Sequence, residues 1–201
     1  FMYRTHPQTQ KIREIIKDYF SEEPLEIEAS FGFEADVPEE HRLVNPELGG
    51  GSILDIGCYP MSMSRMIVGI QEGKSFSNPI NLDSEGVLSK NNIDLYAKAK
   101  LDFSNGSKAH ISSSINKVLP NKVIIKNRKT KLEILEPWRC GEDVGRTSSM
   151  TLTHEGTKEE INFNESIGIF TFEIDHFSEV LLNDSLESNL VSHSDSHGNM
   201  I

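Results

Sequence analysis

Residues 49–69, GGGSILDIGCYPMSMSRMIVG, constrain the fold more than any other stretch of the sequence. Three consecutive glycines allow the backbone to pass close to another group. The residues that follow show helical spacing, which predicts a helix ending near Gly69. Pro60 falls in its first turn and cannot donate a backbone hydrogen bond, so we predict a kinked or widened turn. The apolar side of this helix is expected to carry Leu54, Cys58, Met61, Met66 and Ile67.

Asp55 and Tyr59 lie four residues apart at the start of this helix. That spacing places a carboxylate and a phenol on one helix face, one turn apart. Such a pair suits acid–base chemistry on a substrate hydroxyl or carbonyl, provided that a positive charge lowers the phenol pKa from its usual value near 10. The alternative is structural, with Asp55 capping the helix and the Tyr59 ring packing in the core.

Other polar residues form three weaker candidates. Arg4 and His6 lie at the end of a predicted short strand or entry segment at residues 1–4, and the alternative there is a surface salt bridge and a turn histidine. The polar loop at residues 34–47, which is long enough to suggest a function, holds the set His41, Arg42 and Asn45; exposed loop polarity is the alternative. His193, Asp195 and His197 alternate as metal ligands can, but no further Cys or His cluster supports them, so we predict no metal site.

Composition limits the possible partners. The chain has 201 residues with 20 Lys and Arg against 31 Asp and Glu, a net charge of −11, which argues against a nucleic-acid or anionic-membrane partner. The basic run at residues 117–131 alternates with apolar residues and indicates a solvated strand face. No apolar run is long enough to cross a membrane. Two cysteines without a Cys-x-x-Cys motif predict a reduced, cytoplasmic protein.

Periodicity elsewhere predicts an α+β domain. Helical spacing occurs at residues 9–20 and 170–182, whereas residues 187–199 indicate a loop that leads into a last helix. Strand patterns, divided by turn signals such as Asn105-Gly106, occupy residues 25–33, 83–90, 93–103, 107–115, 121–125, 131–135, 150–154 and 159–163. Connections this short do not hold helical crossovers, so we predict a largely antiparallel sheet with one face exposed.

The sequence opens on Phe-Met-Tyr-Arg without a polar lead-in, and it stops as an apolar run begins at its end. We therefore expect a middle or C-terminal piece of a longer protein. No Gly-x-Gly-x-x-Gly, phosphate loop, Gly-x-Ser-x-Gly or His-Glu-x-x-His motif is present.

Taken together, residues 1–7, 42–51, 54–60, 173–177 and 194–200 resemble the Gfo/Idh/MocA oxidoreductases, in order and along the whole chain. Their most specific element is Gly-Gly-Gly followed by Leu-Asp-x-Gly-x-Tyr-Pro. Its Tyr-Pro form is most similar to the dihydrodiol and xylose dehydrogenase branch. His197 departs from the pattern, since an aliphatic residue is usual there.

The resemblance implies an open, mostly antiparallel sheet with helices packed on one face, and residues 1–201 as a single C-terminal substrate-binding and oligomerisation domain. The N-terminal Rossmann domain, with its catalytic lysine, would be absent from this sequence. Tyr59 and Asp55 would be catalytic, and Arg4, His6, Arg42 and Asn45 would bind substrate. Arg4 would also lie near the nicotinamide.

The activity that this resemblance implies is NAD- or NADP-dependent oxidation of a sugar, polyol or related secondary alcohol by the intact enzyme, which would form a homodimer through the sheet face. For this chain alone we expect no bound cofactor and no turnover. The alternative function is a non-catalytic, sheet-mediated binding or scaffold module of the same fold.

Overall fold

The computed structural model describes residues 1–141 and 147–200, whose helices and strands are arranged as an α+β fold. Its helices are α1 (Pro7–Tyr19), α2 (Cys58–Gln71), α3 (Ile169–Leu182) and α4 (His193–Gly198), with 3₁₀ turns at Met2–Thr5 and Pro46–Leu48 and a π-helical turn at Ile53–Gly57. Its strands are β1 (Glu26–Gly32), β2 (Asn81–Leu88), β3 (Asp94–Asp102), β4 (Lys108–Ser114), β5 (Lys122–Lys126), β6 (Thr130–Leu135), β7 (Ser148–His154) and β8 (Thr157–Phe163).

The strands form an open sheet in the order β2-β3-β4-β1-β5-β6-β7-β8. Strand β1 runs parallel to β4, while the other neighbours pair antiparallel. The Asn105-Gly106 turn joins β3 to β4 as predicted, with Gly106 at a positive φ that suits glycine. The predicted open, mostly antiparallel sheet is therefore confirmed, and each strand pattern lies within a few residues of its strand.

Helices α1 and α2 cover one face of the sheet. Ile12 and Ile16 of α1, Met66 and Ile67 of α2, and Ile27 of β1 are fully buried in the same core. The opposite face carries alternating charged residues. The basic run contributes to that face through Lys122 and Lys126 of β5, whose neighbours Val123 and Ile125 point into the core, which confirms the solvated-strand prediction.

Three local predictions were wrong. Residues 1–4 form no strand, because Met2–Thr5 is a 3₁₀ turn that leads directly into α1. The predicted C-terminal loop already contains a helix, α4, whose capping residue Ser192 accepts a hydrogen bond from the Asp195 amide. Leu54 is 56% exposed instead of buried, because the π-helical turn carries it away from the core. The end of the apolar run, Ile201, lies outside the described residues.

A buried ionic cluster ties the two ends of the described chain to α2. The Asp195 carboxylate accepts hydrogen bonds from Arg4 Nη2 and Arg65 Nη1, each at 2.7 Å. Both guanidinium groups are fully buried, and Arg65 also donates to Asn78 Oδ1. Removing one charge from such a cluster leaves the others uncompensated in a medium of low dielectric constant.

We therefore expect Asp195→Asn to lower the free energy of unfolding by about 3–5 kcal/mol, measured by urea denaturation. The matched control is Glu160→Gln, which breaks the exposed ion pair with Lys158 and should leave the unfolding free energy unchanged within error. An Asp195→Asn variant as stable as the parent would contradict the importance of the cluster.

Candidate active site

The turn that precedes α2 is wide, as Pro60 predicts. Residues Ile53–Gly57 form a π-helical turn, in which the Cys58 amide donates to the Ile53 carbonyl, five residues earlier. Single π turns inside helices are often found at functional sites. The wide turn holds Asp55, and Tyr59 follows as the second residue of α2.

Backbone hydrogen bonds join the glycine run, which precedes the π-helical turn, to the polar loop at residues 34–47. Gly50 and Gly51 donate backbone hydrogen bonds back to the carbonyls of Asn45 and Leu43. Gly51 has a φ of +126°, and a β-carbon there would collide with the Asp94 carboxylate. Only glycine satisfies both constraints, because it has no β-carbon.

Asp94, at the start of β3, caps the wide turn. Its Oδ2 accepts hydrogen bonds from the Ser52 hydroxyl and the Ile53 amide, both at 2.7 Å. A carboxylate at a helix start satisfies free amides and complements the helix dipole. The first part of the structural alternative is therefore wrong, since Asp94 and not Asp55 takes the capping role. Its second part agrees with the structure, because the Tyr59 ring packs against the core. The sequence analysis did not identify Asp94, because it is distant in sequence from the π-helical turn and no local pattern indicates their contact.

Asp55 is instead paired with the polar loop. Its Oδ1 accepts a hydrogen bond from Arg42 Nη1 at 2.6 Å. The Asp55 side chain is largely shielded while that of Arg42 is mostly exposed. The carboxylate is thus held in place from the solvent side, at the rim of a cleft.

Tyr59 lies in a shell of aromatic rings at the other side of this cleft. Its ring makes edge contacts with Phe1, Phe31 and Trp138, with centroids 5.0, 5.4 and 6.1 Å away. The phenol is half-buried, and its oxygen lies 3.5 Å from the Met2 sulfur. Such a contact is a weak hydrogen bond, so the hydroxyl remains available for a stronger acceptor.

Burial, together with smaller contributions from Cys58, Tyr3, Asp55 and Glu173, raises the pKa of Tyr59 to about 12. Desolvation disfavours the phenolate, and neighbouring negative charge acts in the same direction. In this chain Tyr59 is therefore a neutral phenol at pH 7. Its use as a base requires a positive charge from elsewhere.

The cleft itself has a volume of about 1030 Å³ and combines apolar walls with polar groups. Its lining residues include Phe31, Phe33, Arg42, Asp55, Tyr59, Asn121, Glu136, Trp138 and Arg139. Trp138 is fixed by a hydrogen bond from its Nε1 to the Ser30 carbonyl. The sequence analysis missed Asn121, Glu136, Trp138 and Arg139. The one available signal was the unique tryptophan.

The structure does not bring all predicted residues to this cleft. Arg4 and His6 are 0% and 1% exposed, so neither reaches a solvent-filled space. Arg4 takes part in the Asp195 cluster, whereas His6 caps α1 through its Nδ1. Burial lowers the pKa of His6 to about 4, so it is neutral at pH 7. Asn45 accepts a hydrogen bond from the Glu47 amide and caps the short 3₁₀ turn.

No cluster of metal ligands occurs among the described residues. Asp195, the central residue of the alternating His193, Asp195 and His197 motif, is taken up by two arginines. No helix in residues 1–141 and 147–200 is long and apolar enough to span a membrane.

The structure thus combines an open, mostly antiparallel sheet, helices on one face and a carboxylate–phenol cleft behind a glycine run. The family model described as "GFO/IDH/MocA C-terminal domain" matches residues 9–134. That match covers more than half of the chain, so the chain belongs to this family. The predicted family is thereby confirmed.

The relatives with reviewed functions belong to the predicted branch. The trans-1,2-dihydrobenzene-1,2-diol dehydrogenase of Xenopus tropicalis is 28% identical over 199 residues, which are 98% of this chain and 57% of that protein. D-xylose 1-dehydrogenase (NADP(+)) 2 of Haloferax volcanii is 26% identical over 116 residues, which are 58% of this chain and 33% of that protein. The chain thus spans little more than half the length of the dihydrodiol dehydrogenase.

Solved structures share the fold. The 3-ketoreductase KijD10 of Actinomadura kijaniata, in complex with NADP and TDP-benzene, gives a TM-score of 0.76 at 17% identity and covers 98% of this chain and 57% of its own. The aldose–aldose oxidoreductase of Caulobacter crescentus, complexed with glycerol, gives 0.78 at 18% identity and covers 100% and 57%.

The pKa of Tyr59 can be measured in this chain by NMR, with ¹³C-labelled tyrosine and a Tyr59→Phe variant to assign its resonance. We expect the ring signal to titrate near pH 12, because burial and nearby negative charge disfavour the phenolate. A midpoint at or below the ordinary tyrosine value of about 10 would contradict this environment.

Proposed function

We propose that this chain is the substrate-binding domain of an NAD(P)-dependent oxidoreductase that acts on a sugar, polyol or related secondary alcohol. In this proposal Tyr59 and Asp55 are the catalytic residues. The observation that carries it is that Tyr59 and Asp55 line one cleft, together with Arg42 and aromatic walls. The family and the sugar or diol dehydrogenases among the relatives support the reaction class.

The donor set of the cleft suits a polyhydroxylated substrate. The carboxylate of Asp55 and the guanidinium group of Arg42, which share one hydrogen bond, offer further hydrogen bonds in several directions. The Asn121 amide is bonded to the Gly32 backbone through both its oxygen and its nitrogen, and so it fixes the cleft wall. The aromatic walls offer apolar surface for the C–H face of a ring. Pockets for small molecules typically combine such apolar walls with a few fixed polar groups.

In the oxidative direction, Tyr59 takes the proton of the reacting hydroxyl onto its phenolate oxygen. Asp55, held by Arg42, accepts a hydrogen bond from the substrate and fixes its orientation. The aromatic shell excludes water from the reacting carbon. In the reductive direction the neutral phenol returns its proton to the carbonyl oxygen.

The cofactor would be NAD or NADP, as in the NADP complex of KijD10, and when bound it supplies the hydride acceptor. This chain fits the substrate side of such a reaction, since it provides the phenol but no glycine-rich dinucleotide loop. We propose that a separate Rossmann domain, joined before Phe1, holds the dinucleotide and a lysine that lowers the Tyr59 pKa. By itself the chain would neither bind the cofactor tightly nor turn over.

The predicted roles of the remaining polar residues are revised in this proposal. Arg42 acts at the rim by holding Asp55. Arg4, His6 and Asn45, predicted to bind substrate, act as positioning residues here, because each is bonded within the chain. Arg4 supports the cofactor side only indirectly. The free thiols of Cys58 and Cys140 suit the cytoplasmic location that we also propose.

A second candidate function is a non-catalytic binding or scaffold module. The observation that favours it is the environment of Tyr59, whose influential neighbours in this chain all raise its pKa. Without a cation the phenol is a poor base. The two functions differ in one measurement, the turnover of the complete protein.

In the complete protein, we expect Tyr59→Phe to lower kcat by about 10²–10⁴-fold with little change in cofactor affinity, because the proton acceptor is lost. Steady-state assays with aldoses and polyols and both cofactors test this. Tyr19→Phe, at the exposed end of α1, is the matched control and should keep full activity. Equal turnover of Tyr59→Phe and the parent would contradict the assignment.

We further propose a homodimer through the exposed sheet face. That face interleaves lysines and carboxylates, among them Glu28, Glu85, Lys98 and Lys122, and a two-fold axis can pair opposite charges. Sedimentation of this chain should therefore show a dimer that Lys98→Glu weakens. A monomer at high concentration would count against this interface.

A further inference from the structure

The π-helical turn Ile53–Gly57 is capped by a residue from a distant part of the sequence. Ser52 occupies the capping position at its start, but the Ser52 side chain makes no capping hydrogen bond. Its buried hydroxyl donates to Asp94 instead, and the Ile53 amide donates to the same oxygen, Oδ2, both over 2.7 Å. Hydrogen bonds to a charged acceptor are shorter and stronger than those between neutral groups. The start of the turn is therefore fixed by a carboxylate of β3.

Both ends of the turn contact the sheet. At the first end, the Ser52 hydroxyl oxygen lies 3.0 Å from the Ser113 hydroxyl oxygen of β4. At the other end, a β-carbon on Gly57 would lie 3.0 Å from the same Ser113 oxygen. Glycine allows this close approach because it has no side chain. The turn therefore lies directly on β3 and β4, and Asp94 supplies the charge in that contact.

The turn carries Asp55, whose other support is weak. The Asp55 carboxylate accepts a hydrogen bond from Arg42, but the Arg42 side chain is 65% exposed. Ion pairs with an exposed partner contribute little, because water screens them and the long side chain loses conformational freedom. Tyr59 differs, since its ring is held in the aromatic shell. The direction of the Asp55 carboxylate thus depends on the turn more than the direction of the phenol does.

We propose that Asp94 is a positioning residue that acts through Asp55: its carboxylate fixes the π-helical turn on the sheet, and the turn aims the Asp55 carboxylate at the substrate. This inference rests on the proposed function for the role of Asp55. Asp94 is absent from the described residues that line the cleft, so its effect on the reaction is indirect. Small errors in the placement of a catalytic group lower the rate strongly, because the reacting groups must be aligned beforehand.

In the complete protein, we expect Asp94→Ala to lower kcat by about 10–100-fold, because the turn loses both hydrogen bonds and Asp55 loses its alignment. The KM for the nicotinamide cofactor should stay unchanged. Asp94→Asn keeps an oxygen that can accept both bonds, so this variant should recover most of the lost activity. Asp102→Asn, at the other end of β3, is the matched control and should keep the kcat of the parent.

A double-mutant cycle with Asp55→Asn separates positioning from a general structural effect. In a protein that already carries Asp55→Asn, Asp94→Ala should lower kcat by no more than about twofold, because the carboxylate to be aligned is gone. A merely structural effect lowers kcat by the same factor in both backgrounds. Equal factors would overturn the proposal, and so would an Asp94→Ala variant with the kcat of the parent. Ser52→Ala, which removes one of the two bonds, replaces an Asp94→Ala variant that fails to fold, and the same cycle is then measured with it.

An NMR measurement on the 201-residue chain tests the same role without turnover. The ¹³C resonance of the Asp55 carboxylate reports its contact with Arg42, so Arg42→Gln should shift it. We expect Arg42→Gln to cause no such shift in the Asp94→Ala background, since the carboxylate has then left Arg42, but to cause it in the Asp102→Asn background. A shift that persists unchanged with Asp94→Ala would overturn the positioning role.

The two measurements distinguish this inference from the proposed function. A complete protein without dehydrogenase activity contradicts the proposed function. The role of Asp94 in holding Asp55 is then supported or overturned by the Asp55 resonance alone.

Discussion

The missing amide of Pro60 is the constraint on which the site depends. Pro60 cannot donate to the Ile56 carbonyl, and the turn before it is π-helical, with the Cys58 amide bonded to the Ile53 carbonyl five residues earlier. Asp94 then satisfies the free groups at the start of that turn. Asp55 is thereby released from capping and pairs with Arg42 at the cleft rim.

Much of the fold follows from local patterns. Alternation and turn signals gave the eight strands, and helical spacing gave α1, α2 and α3. The parallel pairing of β1 with β4 does not follow from them, because it depends on which strand lies next to which after a long excursion through α2. The α4 helix was missed since its six residues, rich in Ser and His, have weak helical preference.

The site was predictable only in part, for the same physical reason. Asp55 and Tyr59 are close in sequence, so their shared cleft follows from the helical repeat. Asn121 and Trp138 approach the cleft from the segments just before β5 and just after β6, and no local pattern indicates that contact. Arg4 shows the opposite problem. A charged residue near a predicted strand end suggests a contact with a ligand. In the structure, the Arg4 guanidinium group is instead buried against the carboxylate of Asp195, 191 residues away in the sequence.

Two surfaces of one domain now have distinct physical characters: a cleft with mixed polar and aromatic walls, and a sheet face with both charges. The measurement that tests the central claim most directly is the pH dependence of kcat/KM for alcohol oxidation by the complete protein, with and without Tyr59. If Tyr59 is the base, kcat/KM rises with pH as the phenol loses its proton, and this rise is absent in Tyr59→Phe. A rise of kcat/KM with pH that persists unchanged in the variant would contradict the account.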